Sequence, residues 1–102
     1  MGEQRKLTAL VVDGHKDNRK IEERILSSLL NLNVQGIPTV EDEIEARSRE
    51  LYDKIKGAYS GIRRQGTPAI LILDVGYNTP ADKVLEKFVR NEDDMPPTLL
   101  MS

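Results

Sequence analysis

The stretch Ala69-Ile70-Leu71-Ile72-Leu73-Asp74 decides the fold. Five apolar residues run unbroken from Pro68 to a carboxylate, and Gly76 follows shortly after. An apolar run of this length, punctuated at both ends, reads as a strand buried on both faces. Such strands belong to parallel sheets with helices on either side. Near the N-terminus, Leu10-Val11-Val12-Asp13 repeats the pattern of an apolar run closed by Asp. In an open parallel sheet the carboxyl ends of the strands share one edge, and ligands bind in the crevice outside it. Two such strands would therefore bring Asp13 and Asp74 close together, and this acidic pair is the one feature that suggests chemistry.

Outward from these runs the chain alternates. Leu7 to Val12 reads as the first strand, followed by a turn at Asp13-Gly14-His15-Lys16. Asp17 or Asn18 is suited to cap the next helix, because the side-chain oxygen accepts from free N–H groups of the first turn. Ile21, Ile25 and Leu29, flanked by Leu26 and Leu30, form an apolar stripe that predicts an amphipathic helix over roughly 18–31. Val34 to Ile37 is a weak strand, with Gly36 inside it and Pro38 closing it, and suits a sheet edge. Thr39-Val40-Glu41-Asp42 reads as a capping box. Behind it Ile44, Leu51, Ile55, Ala58, Tyr59 and Ile62 keep helical spacing to about residue 64. Gly57 and Gly61 weaken the end of that helix by about 1 kcal/mol each, so fraying is expected there. After the Ala69–Asp74 strand, Thr79-Pro80-Ala81-Asp82 reads as a helix start with a hydroxyl cap and Pro at the first helical position. Val84, Leu85, Phe88 and Val89 supply that helix's stripe, and Thr98 to Met101 begins a further strand. The stripes of all three helices are expected to be core. The resulting β-α-β-α-β-α-β order implies an α/β domain with a parallel sheet of about four strands, spanning 1–102 as one unit.

Composition narrows the function. The 102 residues are 38% apolar and 31% charged, with a net charge of −2, which suits one small globular domain. That charge gives no reason to expect nucleic acid, and Arg63-Arg64, the densest basic pair, is too small to track phosphates. With four aromatics and no Trp, stacking platforms for bases are not expected. The absence of cysteine excludes disulfides, thiolate zinc and thiol catalysis, and fits a reducing compartment. No apolar run approaches the roughly 18 residues of a membrane span, and the N-terminus lacks a signal peptide's apolar core. A cytoplasmic protein is expected.

The acids and their surroundings carry a resemblance. Val11-Val12-Asp13-Gly14-His15-Lys16-Asp17-Asn18-Arg19 resembles the first strand and helix start of response-regulator receiver domains, which often read Val-Val-Asp-Asp-Asn-x-x-Asn-Arg. Leu71-Ile72-Leu73-Asp74 is similar to the receiver strand that ends in the phosphate-accepting Asp. Pro97-Thr98-Leu99-Leu100-Met101-Ser102 is similar to the fourth strand, which ends in a phosphoryl-sensing Thr or Ser. The likeness spans nearly the whole chain through short motifs. It implies a flavodoxin-like three-layer sandwich with strand order 2-1-3-4, lacking the C-terminal strand and helix. It implies Asp74 as phosphoacceptor, Ser102 as switch hydroxyl, and Mg²⁺ held by Asp13, Asp74 and the carbonyl of Gly76. The implied partner is a histidine kinase or another signalling protein.

The departures weaken the chemistry. Receivers hold Mg²⁺ with two acids after the first strand, and Gly14 stands at the second position here. Mg²⁺ needs only one or two carboxylates, so weak binding is still expected. Pro80 lies six residues after Asp74, where receivers usually place it four after, and no Lys-bearing fifth strand follows. An aspartyl phosphate forms by carboxylate attack on a phosphoryl donor, and cations must neutralise the approaching charges. The reading is therefore a degenerate, non-enzymatic signalling domain acting through protein contact, with weak phosphorylation of Asp74. An uncovered sheet edge also suggests self-association. The alternative rests on Asp13-Gly14-His15-Lys16-Asp17-Asn18, which partly resembles the Asp-x-His-x-x-Gly segment of cobalamin-binding flavodoxin-like modules. There His15 would be the cobalt ligand and Asp13 its partner.

Overall fold

A computed structural model describes residues 7–13, 16–29, 32–75 and 79–101. Its elements are β1 (Thr8–Val12), α1 (Lys16–Leu29), β2 (Asn33–Gly36), α2 (Ile44–Arg64), β3 (Ala69–Asp74), α3 (Ala81–Arg90) and β4 (Thr98–Met101). The four strands form one all-parallel sheet in the order β2-β1-β3-β4, the flavodoxin-like arrangement. The two runs that end in Asp are its central neighbours, paired from Thr8↔Ala69 to Val12↔Leu73.

The sheet has two unequal faces. On one, Leu10, Val12, Leu71 and Leu73 meet Leu51, Ile55 and Ile62 of α2 and Val84 and Phe88 of α3 in the main core. On the other, Ala9, Val11 and Ile72 form a smaller cluster, packed by Leu26 of α1 together with Leu32, Val34 and Ile70. Two helices thus cover one face and a single helix the other. The edge strand β2 is half exposed, and Gly36 lies under α1: a Cβ there would come within 1.9 Å of the Glu23 carboxylate and 3.2 Å of the Arg19 side chain.

Local rules and tertiary packing disagree at several places. The stripe of α1 is rotated from its expected phase: Leu26 packs on the core, whereas Ile21 and Ile25 are 57% and 46% exposed. Each helical residue turns about 100°, so a stripe centred on 22 and 26 carries 21 and 25 to its flank. Helix α1 starts at Lys16, which places Asp17 inside the first turn instead of at the cap. Thr39 does not cap α2. Glu43 holds the cap position without a side-chain bond, and the Glu50 carboxylate instead accepts from the backbone N–H groups of Val40 (2.9 Å) and Glu41 (3.4 Å). Gly57 and Gly61 do not fray α2, which is held beyond them by buried Ile62 and by the Arg63–Asp94 ion pair at 2.6 Å. Pro80, and not Thr79, occupies the cap position of α3, and Val89 is 75% exposed despite its place in the predicted stripe. Ile44 is exposed as well. In each case a short amphipathic pattern fixes the element, while the neighbours decide its phase.

A polar latch ties α2 to the loop before β4. The Tyr52 hydroxyl donates to Asp93 and accepts from Asn91 Nδ2 (2.9 Å), while its ring meets Phe88 edge-on. Lys56 adds an ion pair to Asp93 at 3.3 Å. These bonds hold the Asp93 carboxyl below the usual carboxylate range, chiefly through Tyr52 and then through Lys56.

Candidate functional site

The register of β1 and β3 builds the site. Val12 pairs with Leu73, so the next residues, Asp13 and Asp74, emerge side by side at the carboxyl edge. Alternation sends both toward the α1 face. Ala9 and Val11 precede Asp13 on that side, and Ile70 and Ile72 precede Asp74. Asp13 is 3% exposed and Asp74 half-buried. The apolar runs beneath them fix the strands in the core, and the chain leaves the sheet immediately after each acid.

A third carboxylate completes the group. Glu22, half-buried on α1, hydrogen-bonds Asp13. Its pKa is raised from 4.5 to about 8 by burial, by this hydrogen bond, and by the charges of Asp13, Asp74 and Glu23. Two carboxyl groups can share a hydrogen bond only when one carries a proton, and the raised value places that proton on Glu22. The sequence reading missed Glu22 because it set the α1 stripe one position off. Spacing held the signal, since Glu22 lies four residues before Leu26 and shares its sheet-facing side.

The expected residues divide into two sets. Asp13 and Asp74 come together. Gly76, Ser102, Gly14 and His15 lie outside the described residues, as does the side chain of Asn18. Among the described residues, no group of three or more His, Cys, Asp or Glu side chains is arranged to hold a metal ion. Glu22 therefore adds negative charge and a proton to the pair without making it a three-ligand cage. Beside Asp74, exposed Val75 and Ile44 line a shallow cleft with Thr79 and Pro80 at the start of α3. Among the described residues no helix is long and apolar enough to cross a membrane.

Neither family models nor curated proteins give a match to this chain.

Proposed function

We propose that this protein is a receiver-like signalling domain that works mainly through contact with a protein partner and accepts phosphate at Asp74 only weakly. The observation that carries the reading is the pairing of Val12 with Leu73, which sets Asp13 beside Asp74 at the carboxyl edge of the two central strands. A sheet in the order 2-1-3-4 with an acid closing each central strand is what a receiver-like phosphoacceptor requires. Asp74 would be the nucleophile, attacking the phosphorus of a small phosphodonor as the donor's leaving group departs. Asp13 and Asp74 would hold Mg²⁺, with the Gly76 carbonyl as a further ligand and Ser102 as the switch hydroxyl. The ion would supply the positive charge that phosphoryl transfer demands. Two carboxylates suffice for weak Mg²⁺ binding, and the third acid at Glu22 raises the negative charge that an incoming phosphoryl group must meet. The proposed acceptor is for this reason poor, and the main output is assigned to binding. The setting for such a domain is the cytoplasm, with a histidine kinase or another signalling protein as the partner.

The test is incubation of the full chain with acetyl phosphate, with and without Mg²⁺, followed by intact-mass and peptide mapping. A small, Mg²⁺-dependent phosphoryl adduct on Asp74, absent in Asp74→Asn, is expected. No adduct at saturating Mg²⁺ would remove Asp74 as an acceptor.

A further inference from the structure

The edge of the sheet at β2 is flanked by a cleft on each face. Helix α1 packs on β1 and β2, and α2 packs over β1 and β3. Strand β2 ends the sheet, with Asn33 and Gln35 exposed. Register sets Asn33 beside Thr8 and Gln35 beside Leu10, whose side chain lies in the core under α2. Thr8, Asn33 and Gln35 therefore share the α2 face. With the Gly57 and Gly61 flank of α2 they line a cleft of about 400 Å³.

Two observations mark this cleft as built to receive something. Thr8 is only 9% exposed, yet its hydroxyl makes no hydrogen bond among the described residues. No fully enclosed side-chain oxygen among them lacks a partner, so this hydroxyl opens into the cleft. The glycines make no room for any contact within the chain, since a Cβ at either would meet nothing within 4 Å. Gly is also the poorest helix former after Pro, and at these two positions its bare backbone keeps the cleft open.

The strand edge beside the cleft selects the occupant. The Asn33 N–H donates to the Leu7 carbonyl and the Ile37 N–H to the Val11 carbonyl, so residues 33, 35 and 37 turn their backbone groups toward β1. The alternate residues, Val34 and Gly36, turn theirs outward at the free edge. On the α1 side of the same strand a second cleft is walled by Lys20, Arg24 and Ser27. Glu23 is turned onto Gly36, while Lys20 and Arg24 are exposed and form no ion pair among the described residues. A second copy is a poor occupant, because pairing β2 on β2 across a two-fold sets this basic flank of α1 against its own equivalent.

We infer that β2 receives an extended segment of a different protein as a fifth strand, seating a small uncharged side chain between Thr8 and the Gly57–Gly61 flank and acidic side chains against Lys20 and Arg24. Main-chain bonds to Val34 and Gly36 supply affinity, and the two clefts read alternate side chains. The inference rests on the protein-contact half of the proposed function and names the surface and chemistry of that contact. The phosphodonor experiment reads Asp74 separately, so either result can fail alone.

The probe is a capped peptide of about seven residues alternating Thr with Glu, longer than the strand at ~3.3 Å per residue. Binding to the full chain is followed by NMR shift titration and amide hydrogen exchange. Saturable one-to-one binding is expected, with slowed exchange at the Val34 and Gly36 amides. Gly57→Leu, which fills the cleft with a better helix former, should weaken binding about tenfold or more, as should Lys20→Glu with Arg24→Glu. Val89→Lys on α3 should leave it unchanged. A peptide N-methylated at alternate amides, or with Lys in place of Glu, should bind more weakly, and these two need no change to the protein. Absence of saturable binding, unslowed exchange at both amides, or full affinity of Gly57→Leu or of the N-methylated peptide would each overturn the inference. So would a concentration-dependent dimer that protects the same two amides, which would give the edge to a second copy.

Discussion

At the residue scale the informative group is Glu22. Its carboxyl donates to Asp13 while protonated, and its pKa stands at about 8 in the folded protein against about 4.5 for an ordinary Glu. Between those values the folded state binds more protons than the unfolded chain, so stability must fall as pH rises through that window. Urea unfolding from pH 5 to pH 9 should show this decline. Glu22→Gln keeps the shape and a donor but cannot ionise. Its stability should be flat across the window and exceed that of the parent chain above pH 8. A parent profile that rises with pH would contradict the carboxyl pair. The sequence showed Asp13 and Asp74 because apolar runs point at them. It hid Glu22, since an acid on a charge-rich helix looks solvated until the helix's rotation about its axis is known.

At the element scale the helix ends and glycines separate propensity from packing. Gly57 and Gly61 lie in the C-terminal half of α2, and a Cβ at either would meet nothing within 4 Å. Gly57→Ala and Gly61→Ala should therefore each stabilise the protein by about 1 kcal/mol, the helical cost of Gly relative to Ala, in urea melts. The residue ending α2 is different. Gly66 has φ 71°, the left-handed conformation that closes helices, and its N–H bonds the Arg63 carbonyl at 2.9 Å. Gly66→Ala should cost about 1 kcal/mol. Glu92 takes the same role after α3 at φ 54° without glycine's freedom, so Glu92→Gly should gain up to about 1 kcal/mol. If Gly66→Ala stabilised and Glu92→Gly destabilised, these closing turns would be misassigned. A chain-level pattern predicted all seven elements, yet it placed the caps of α1, α2 and α3 wrongly. Caps depend on which side chain reaches the free N–H groups of the first turn; Glu43 at the cap of α2 makes no such bond, and Glu50 bonds the Val40 N–H in the preceding loop.

At the scale of the whole molecule, position in the sheet sets what a leucine is worth. Leu71 in β3 is fully buried between neighbouring strands, whereas Leu100 in β4 is 50% exposed at the sheet edge. Leu71→Ala should lose about 2–5 kcal/mol, a large share of a small domain's stability, while Leu100→Ala should lose under about 1 kcal/mol. Equal losses in chemical denaturation would mean that β4 is covered in solution. The edge position leaves apolar surface open on both faces of β4: Leu99 beside Ile72 on the α1 side, and Leu100 beside Leu73 on the side of α2 and α3.

The amino-acid sequence by itself determined the alternation of elements, the parallel sheet, and the two acids that close its central strands. Hydrophobic period and punctuation act locally, within one turn or one strand, and a single chain displays them in full. Only the tertiary structure decided the rotation of α1, the arrival of Glu22 at Asp13, and the exposure of Ile21, Ile25 and Leu99. These depend on which surfaces remain for a helix to bury once the strands have paired, and that competition among distant residues has no local trace.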